Sequence, residues 1–259
     1  MTTLLIVESN TPAMVAEGHA GAFGFVRSFA SFAPEVRLRL TAPYAAAFQP
    51  EELRGVDGVI FSGSGVPWGV TSAEAKPLRD AMEVVFAEGL PVWGSCNGMQ
   101  LGAVVLGGTV GDCPNGIEIG TARNIELTSP GTAHPMLSGR ASGYAVPCIH
   151  FHEVQSLGSD TVLLAGNDHT PIQAITCASG PVDFWGTQYH PELRLADIAA
   201  YVRGGTFGNA DALLTHLEAG DADPDAAAAL GTSLPELGAR TLELQNWLSH
   251  VRATRAALS

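Results

Sequence analysis

The sequence predicts an α/β fold: a mostly parallel central sheet flanked by helices, with a helical appendage at its C-terminal end. Three observations carry that expectation. Short apolar runs of strand length, at residues 4–7, 58–62 and 90–93, alternate with longer segments whose apolar residues recur at helical spacing. Strands separated by helices pair in parallel, because a crossover helix returns the chain to the same end of the sheet. With 259 residues and 46% hydrophobic content, the chain can cover both faces of such a sheet.

The elements follow in order. Residues 4–7 form the first strand, and 8–17 a polar loop containing Pro12. Residues 18–32 read as a helix, with Phe23, Val26, Phe29 and Ala30 at helical spacing, and Pro34 ends it. Val36, Leu38 and Leu40 alternate with Arg37 and Arg39, as in a half-exposed strand. Residues 58–62 are a buried strand, 63–69 a loop and 72–88 a helix. The strand at 90–93 runs into Gly94, Ser95, Cys96 and Gly98, and then into a helical pattern through Leu106. From 109 to 184 the pattern shifts to short β-like runs at 117–127, 144–149, 161–165 and 172–176. These read as the later part of the sheet with an antiparallel extension, and 182–189 as a further strand. Residues 196–202 are helical, 204–208 break that helix, and 221–224 are another break before an Ala-rich turn. The last helix is placed at 235–257, with Leu237, Leu244, Trp247, Leu248 and Val251 as an apolar stripe that packs on the body. The domain division is therefore 1–203 as the α/β domain and 204–259 as a helical extension packed on it.

The chemistry centres on Cys96. A strand that turns sharply into a helix with a nucleophile at the corner is a nucleophile elbow, here in a Cys version of Gly-x-Ser-x-Gly. Gly94 and Gly98 allow the close backbone approach that such a turn requires. The helix that follows turns its positive end toward the sulfur, which favours thiolate, and its free amides can bind an oxyanion. His190 ends another apolar run, with Glu192 two residues on. In extended backbone, i and i+2 side chains leave on the same side, so Glu192 can hold the imidazole in the tautomer a general base needs. Cys113, Cys148 and Cys177 lack an elbow and read as inert. His19, His134, His169, His216 and His250 have no motif around them.

Two stretches together, Gly94-Ser95-Cys96-Asn97-Gly98-Met99-Gln100 and Gln188-Tyr189-His190-Pro191-Glu192, resemble the class I (triad) glutamine amidotransferases. Asp57-Gly58-Val59-Ile60-Phe61-Ser62-Gly63-Ser64 is similar to that family's oxyanion strand and loop. The likeness is greatest to free-standing proteins similar to the amidotransferase domain of GMP synthetase, and it covers roughly residues 4–200. It implies a flavodoxin-like sheet with the site beyond the carboxyl ends of its strands. It further implies Cys96, His190 and Glu192 as the catalytic residues, an oxyanion hole at Gly63, Ser64 and Asn97, and Gln100 against the bound glutamine. The family usually has a second glycine where Ser64 stands. His150-Phe151-His152-Glu153-Val154 falls where the group has His-x-Asp-x-Val near the glutamine α-amino group. Aligning Val154 puts His150 on the motif's His and His152 in place of its Asp; a one-residue gap matches His152 and Glu153 instead.

Composition narrows the partners. The chain carries 13 basic and 26 acidic residues, a formal net charge of −13. Phosphate-backbone binding needs Lys and Arg, so no nucleic-acid partner is expected. No run approaches the roughly 20 apolar residues of a membrane span, and Met1-Thr2-Thr3 lacks the basic region of a signal peptide. Four scattered Cys without a Cys-x-x-Cys pair argue against a zinc site and a disulfide scaffold, and fit a reducing cytoplasm. No metal or other cofactor is expected. The leading expectation is cleavage of the γ-amide of glutamine through a Cys96 thioester, releasing glutamate and ammonia, with a separate synthetase as a possible ammonia acceptor. The same triad would serve a hydrolase of γ-glutamyl peptides or conjugates. A third reading is a binding or regulatory subunit with a vestigial site.

Overall fold

The computed structural model describes residues 1–204 and 210–257. Its centre is a nine-stranded sheet. Strands β1 (Thr3–Val7), β2 (Arg37–Thr41), β3 (Gly58–Phe61), β4 (Pro91–Ser95) and, much later in the chain, β11 (Val182–Thr187) run parallel in the order β2-β1-β3-β4-β11. Beyond β11 the sheet turns antiparallel through β10 (Ala174–Ser179), β9 (Thr161–Gly166), β6 (Glu118–Leu127) and β7 (Tyr144–His150). A separate two-stranded sheet joins β5 (Thr109–Asp112) to β8 (His152–Ser156).

Helices cover both faces. On one lie α3 (Lys76–Ala87) and α4 (Asn97–Val105), which bury Leu78, Val85, Met99 and Leu101 against Val59, Phe61 and Phe184. On the other lie α2 (Ala22–Phe32) and α10 (Leu242–Ala257), packed on Leu4, Ile6, Ile60 and Trp93. Small helices α1 (Pro12–Ala16) and α5 (Ser129–Ala133) interrupt loops. After β11 come α6 (Leu195–Gly204), α7 (Asp211–Ala219), α8 (Pro224–Ala229) and α9 (Leu234–Gly238). These four share a core of Ile198, Leu217, Ala227, Leu230 and Leu237, which reaches Ile119 and Ile149 of the sheet.

Several boundaries differ from the sequence reading, each for a local reason. The first long helix starts at Ala22 rather than at 18, because Gly18 takes φ +93° and Glu8 binds the amides of Gly21 and Ala22. Its buried face is Phe25 and Phe29, whereas Phe23 is exposed. The polar loop at 8–17 contains α1, capped by Thr11, and its residues Glu8, Ser9 and Asn10 are buried. The helix read at 72–88 begins at Lys76, just before Pro77, which suits a first turn. The run at 172–176 is strand only from Ala174 and extends to Ser179. The last helix is two: α9 ends at Gly238, and α10 begins at Leu242 after a turn in which Arg240 N–H reaches Leu237 O. Its stripe residues are all buried. The break read at 204–208 falls, beyond Gly204, outside the described residues.

What matters for function is where the parallel strands end. β3, β4 and β11 are neighbours in register, with Phe61 opposite Gly94 and Thr187 opposite Ser95. Their carboxyl ends therefore deliver residues 62–64, 96 and 188–192 to one edge of the sheet.

Candidate active site

The sharpest local feature is the β4–α4 junction. Cys96 adopts φ 49° and ψ −104°, in the positive-φ region that L side chains rarely occupy. Its neighbours hold it there: Cys96 N–H donates to Thr187 O at 2.7 Å, and its carbonyl accepts from Gln100 N–H at 2.9 Å. The two elbow glycines are required by contact. A Cβ on Gly98 would lie 2.3 Å from Phe61 O, and one on Gly94 would lie 2.6 Å from the Gly98 backbone. The sulfur sits at the edge of a cavity, with 7% of the residue exposed.

His190 and Glu192 follow β11 on the turn that closes the same edge. His190 N–H donates to Pro147 O at 2.8 Å, which ties this turn to β7. The His190 Nδ1 and Glu192 Oε1 are 2.7 Å apart, both residues nearly fully buried. Cys96 is close enough to the imidazole to act on its pKa; with Nδ1 engaged by Glu192, Nε2 is the ring nitrogen that remains. Burial pulls the His190 pKa down, but the adjacent Glu192 carboxylate and the Cys96 sulfur outweigh it and raise the value to about 10. The other oxygen of Glu192, Oε2, accepts a 3.0 Å hydrogen bond from Ser95 Oγ.

The loop after β3 closes over this pair. A Cβ on Gly63 would lie 2.7 Å from His190 Cε1 and 3.8 Å from Cys96 Cβ, so Gly63 is in contact with both. Asn10 shapes the rest of the loop: its Oδ1 accepts from Ser64 Oγ at 2.9 Å and from Gly65 N–H at 2.8 Å. The Ser64 hydroxyl is thus used in holding the loop. The amide of Asn97 lies in the first turn of α4, where no intrahelical carbonyl can reach it.

Gln100, His150 and His152 all line the cavity, but each has partners within the protein. Gln100 Nε2 donates to His152 O at 2.8 Å and to Gln188 Oε1 at 3.2 Å. His150 Nε2 is 2.9 Å from Glu118 Oε2, and its Nδ1 is 3.0 Å from His152 O and 3.2 Å from Cys113 Sγ. His152 is half-buried, with Nε2 3.2 Å from Asp112 Oδ1. The cavity has a volume of about 720 Å³, and Cys96, Trp68 and Tyr201 are among the residues that line it. No Lys or Arg is among its described lining residues.

Three participants in this geometry escaped the sequence reading. Gln188 Nε2 donates to Cys96 Sγ at 3.3 Å. Ser95 reaches Glu192, and Glu118 pairs with His150. Gln188 stands in the stretch that carries His190, and Ser95 directly precedes Cys96, so both were in view without a partner to suggest a role. Glu118 becomes visible only through strand pairing, where it lies opposite His150. Glu118, Cys148 and His150 also form a buried group with donor atoms within 4.8 Å of one another. Its acceptor, Glu118, is already supplied by His150, Asn167 and Gln173.

Fold and site together define a protein with a buried thiol at a strand–helix elbow and an imidazole–carboxylate pair against it. Residues 27–202 match the family model described as glutamine amidotransferase class-I, and the chain belongs to that family. It is 39% identical over 158 residues to a gamma-glutamyl-L-1-hydroxyisopropylamide hydrolase from a Pseudomonas species, covering 58% of this chain and 52% of that protein. It is 32% identical over 151 residues to the glutamine-hydrolyzing GMP synthase of Symbiobacterium thermophilum, covering 58% of this chain and 27% of that one. The matched region thus spans about half of the first relative and about a quarter of the second. A glutamine amidotransferase from Thermotoga maritima shares the fold with a TM-score of 0.67 at 17% identity, covering 96% of this chain and 97% of that one. One from Methylobacillus flagellatus does so with a TM-score of 0.64 at 20% identity, covering 98% and 93%. Among the described residues no helix is long and apolar enough to cross a membrane.

Proposed function

We propose that this protein is a thiol hydrolase of γ-glutamyl amides, with Cys96 as nucleophile, His190 as proton carrier and Glu192 as the group that orients His190. The observation that supports it best is the convergence of a positive-φ cysteine with a buried His–Glu pair at one sheet edge. Cys96 sulfur attacks the amide carbonyl, and His190 takes the thiol proton. The carbonyl oxygen, now an oxyanion, lies toward the amides of Asn97 and the Gly63–Ser64 turn. The C–N bond breaks, His190 passes the proton to the departing amine, and a γ-glutamyl thioester remains. Water, deprotonated by His190, then cleaves the thioester to glutamate and restores the thiol.

Glutamine is the first substrate of this reading, with ammonia as the leaving group and a separate synthetase in the cytoplasm as its acceptor. Gln100, His150 and His152 supply the wall against which the glutamyl group rests. A second reading, a hydrolase of γ-glutamyl conjugates, is favoured by the 39% identical relative and by a cavity in the size range of sites for larger ligands. Glutamate release from glutamine and from a panel of γ-glutamyl amides, with Cys96→Ala as control, tests both. Glutamate release that depends on Cys96 supports the hydrolase, and the substrate profile chooses between the two readings. Absence of release, together with failure of a glutamine-like electrophile to label Cys96, would leave a vestigial site as the better account.

A further inference from the structure

The catalytic reading assigns Glu192 one oxygen, the one that faces His190. Its other oxygen, Oε2, is buried as well and accepts from Ser95 Oγ at 3.0 Å. Ser95 Oγ in turn accepts from Trp93 Nε1 at 3.0 Å. An indole N–H can only donate, and a hydroxyl has one proton. The Trp93 contact therefore uses an acceptor site on Ser95 and commits the hydroxyl proton to Glu192. The result is a carboxylate gripped from two sides: Trp93 N–H aims the Ser95 O–H onto Oε2, and His190 Nδ1–H donates to Oε1.

Local structure explains why the chain exists. Trp93 and Ser95 are i and i+2 on β4, so both side chains leave the same face of the sheet. Trp93 is fully buried and tilts against Trp247 of α10, with ring centroids 6.3 Å apart, so its N–H is fixed in direction. β4 is also the strand that ends in Cys96. The strand that presents the nucleophile thereby also grips the carboxylate that steers the base.

We propose that Ser95 is a positioning residue for the hydrolytic site, its hydroxyl aimed by Trp93 so that it clamps Glu192 square to His190. The inference rests on the Cys96–His190–Glu192 reading above. Cys96 from the elbow acts on His190 and Tyr201 from α6 lies within reach of Glu192, and the test variants leave both in place.

The test compares Ser95→Ala, Ser95→Thr and Trp93→Phe with the wild type and with Cys96→Ala. Ser95→Ala removes a hydrogen bond to a charged group, and kcat should fall about tenfold with KM within about twofold. Trp93→Phe keeps the hydroxyl but frees its direction, and should lower kcat about threefold. Ser95→Thr retains the donor and should recover most of the loss. A second readout does not depend on turnover. Imidazole 15N NMR should place the His190 titration midpoint lower in Ser95→Ala than in the wild type, because a loosened carboxylate supports the imidazolium less. Wild-type kcat and an unmoved midpoint in a folded Ser95→Ala protein would overturn the proposal while leaving the triad intact. If Ser95→Ala does not fold, Trp93→Phe decides by the same two measurements. Turnover undiminished in Cys96→Ala would instead overturn the catalytic reading, and the positioning role with it.

Discussion

Two buried His–Glu pairs lie close to Cys96, and they are built for different work. His190 and Glu192 are 2.7 Å apart, and His150 and Glu118 are 2.9 Å apart. In the first pair the carboxylate takes Nδ1, and Nε2 has no further hydrogen-bond partner within the protein among the described residues. In the second the carboxylate takes Nε2, while Nδ1 meets the carbonyl of His152 and the Cys113 thiol. The first carboxylate receives one further donor, Ser95; the second receives Asn167 and Gln173. Burial pushes Glu118 up, yet His150 first, with Asn167 and Gln173, outweighs it and holds its carboxyl below the usual value. Identical residue types at nearly the same distance thus give one pair at the sheet edge beside Cys96 and one that braces β6 against β7. What separates them is the environment of the second ring nitrogen.

Breaking each pair should read out differently. Cys96→Ala or His190→Gln should lower turnover by about 10⁴-fold or more, because no neighbouring group can replace either step. His150→Gln should leave Cys96 reactive toward iodoacetamide, raise KM through the wall it forms, and cost about 3 kcal/mol of stability for breaking a buried pair. Urea denaturation alongside glutamate release separates the two outcomes. Equal losses of activity at unchanged stability would erase the distinction.

A smaller step presses on the first pair alone. Gly63→Ala places a methyl 2.7 Å from His190 Cε1, so the ring must move. A displacement of about an ångström at the reacting centre should lower kcat about 10²-fold. The fold should tolerate the change, because the clash falls on a side chain of the site, and circular dichroism checks this.

Three of the four thiols are held protonated by their surroundings. Burial and the carboxylates around them, Glu153 and Glu118, push Cys113 up to about 12, and burial with Glu118 pushes Cys148 well above its ordinary value. Cys177 is raised by burial and by Asp160. Iodoacetamide near neutral pH should therefore label Cys96 first, at least tenfold faster than the other three, as read by mass spectrometry. Preferential labelling of Cys113 would place the reactive thiol beside the wrong pair.

The pH dependence of stability sharpens the comparison further. The folded-state value of His190, about 10, stands above its ordinary 6.5. Its contribution to stability is thus complete below about 6.5 and is lost as pH rises through about 10. Glu192→Gln should flatten that part of the profile. The smallest effect belongs to His152→Ala. Its partner Asp112 is almost fully exposed, and the loss should stay within about 0.5 kcal/mol.

Much of this was legible before any coordinates. Alternating strand and helix periods identified the parallel sheet, and Gly94, Cys96 and Gly98 marked the elbow because only a sharp strand–helix turn needs that pattern. His190 and Glu192 were readable as a pair because they are two residues apart in extended chain. Glu8 and Asn10 read as polar loop, since nothing local says that a carboxylate will cap a helix that starts 14 residues later or that an amide will hold the loop at Ser64 and Gly65. The single last helix was misjudged for a related reason: the apolar stripe from Leu237 to Val251 is continuous in sequence, and only the packed structure shows the turn after Gly238.

By itself, then, the sequence determined the fold class, the elbow at Cys96 and the pairing of His190 with Glu192, because each is written in spacings of a few residues that backbone geometry converts directly into proximity. The tertiary structure alone decided the rest. Glu118 meets His150 by strand pairing across 32 residues, Gln188 meets the sulfur across 92, and Ser95 meets Glu192 across 97. Such contacts depend on which strands become neighbours and in what register. Those choices are made by the burial of whole apolar faces rather than by the residues that end up in contact.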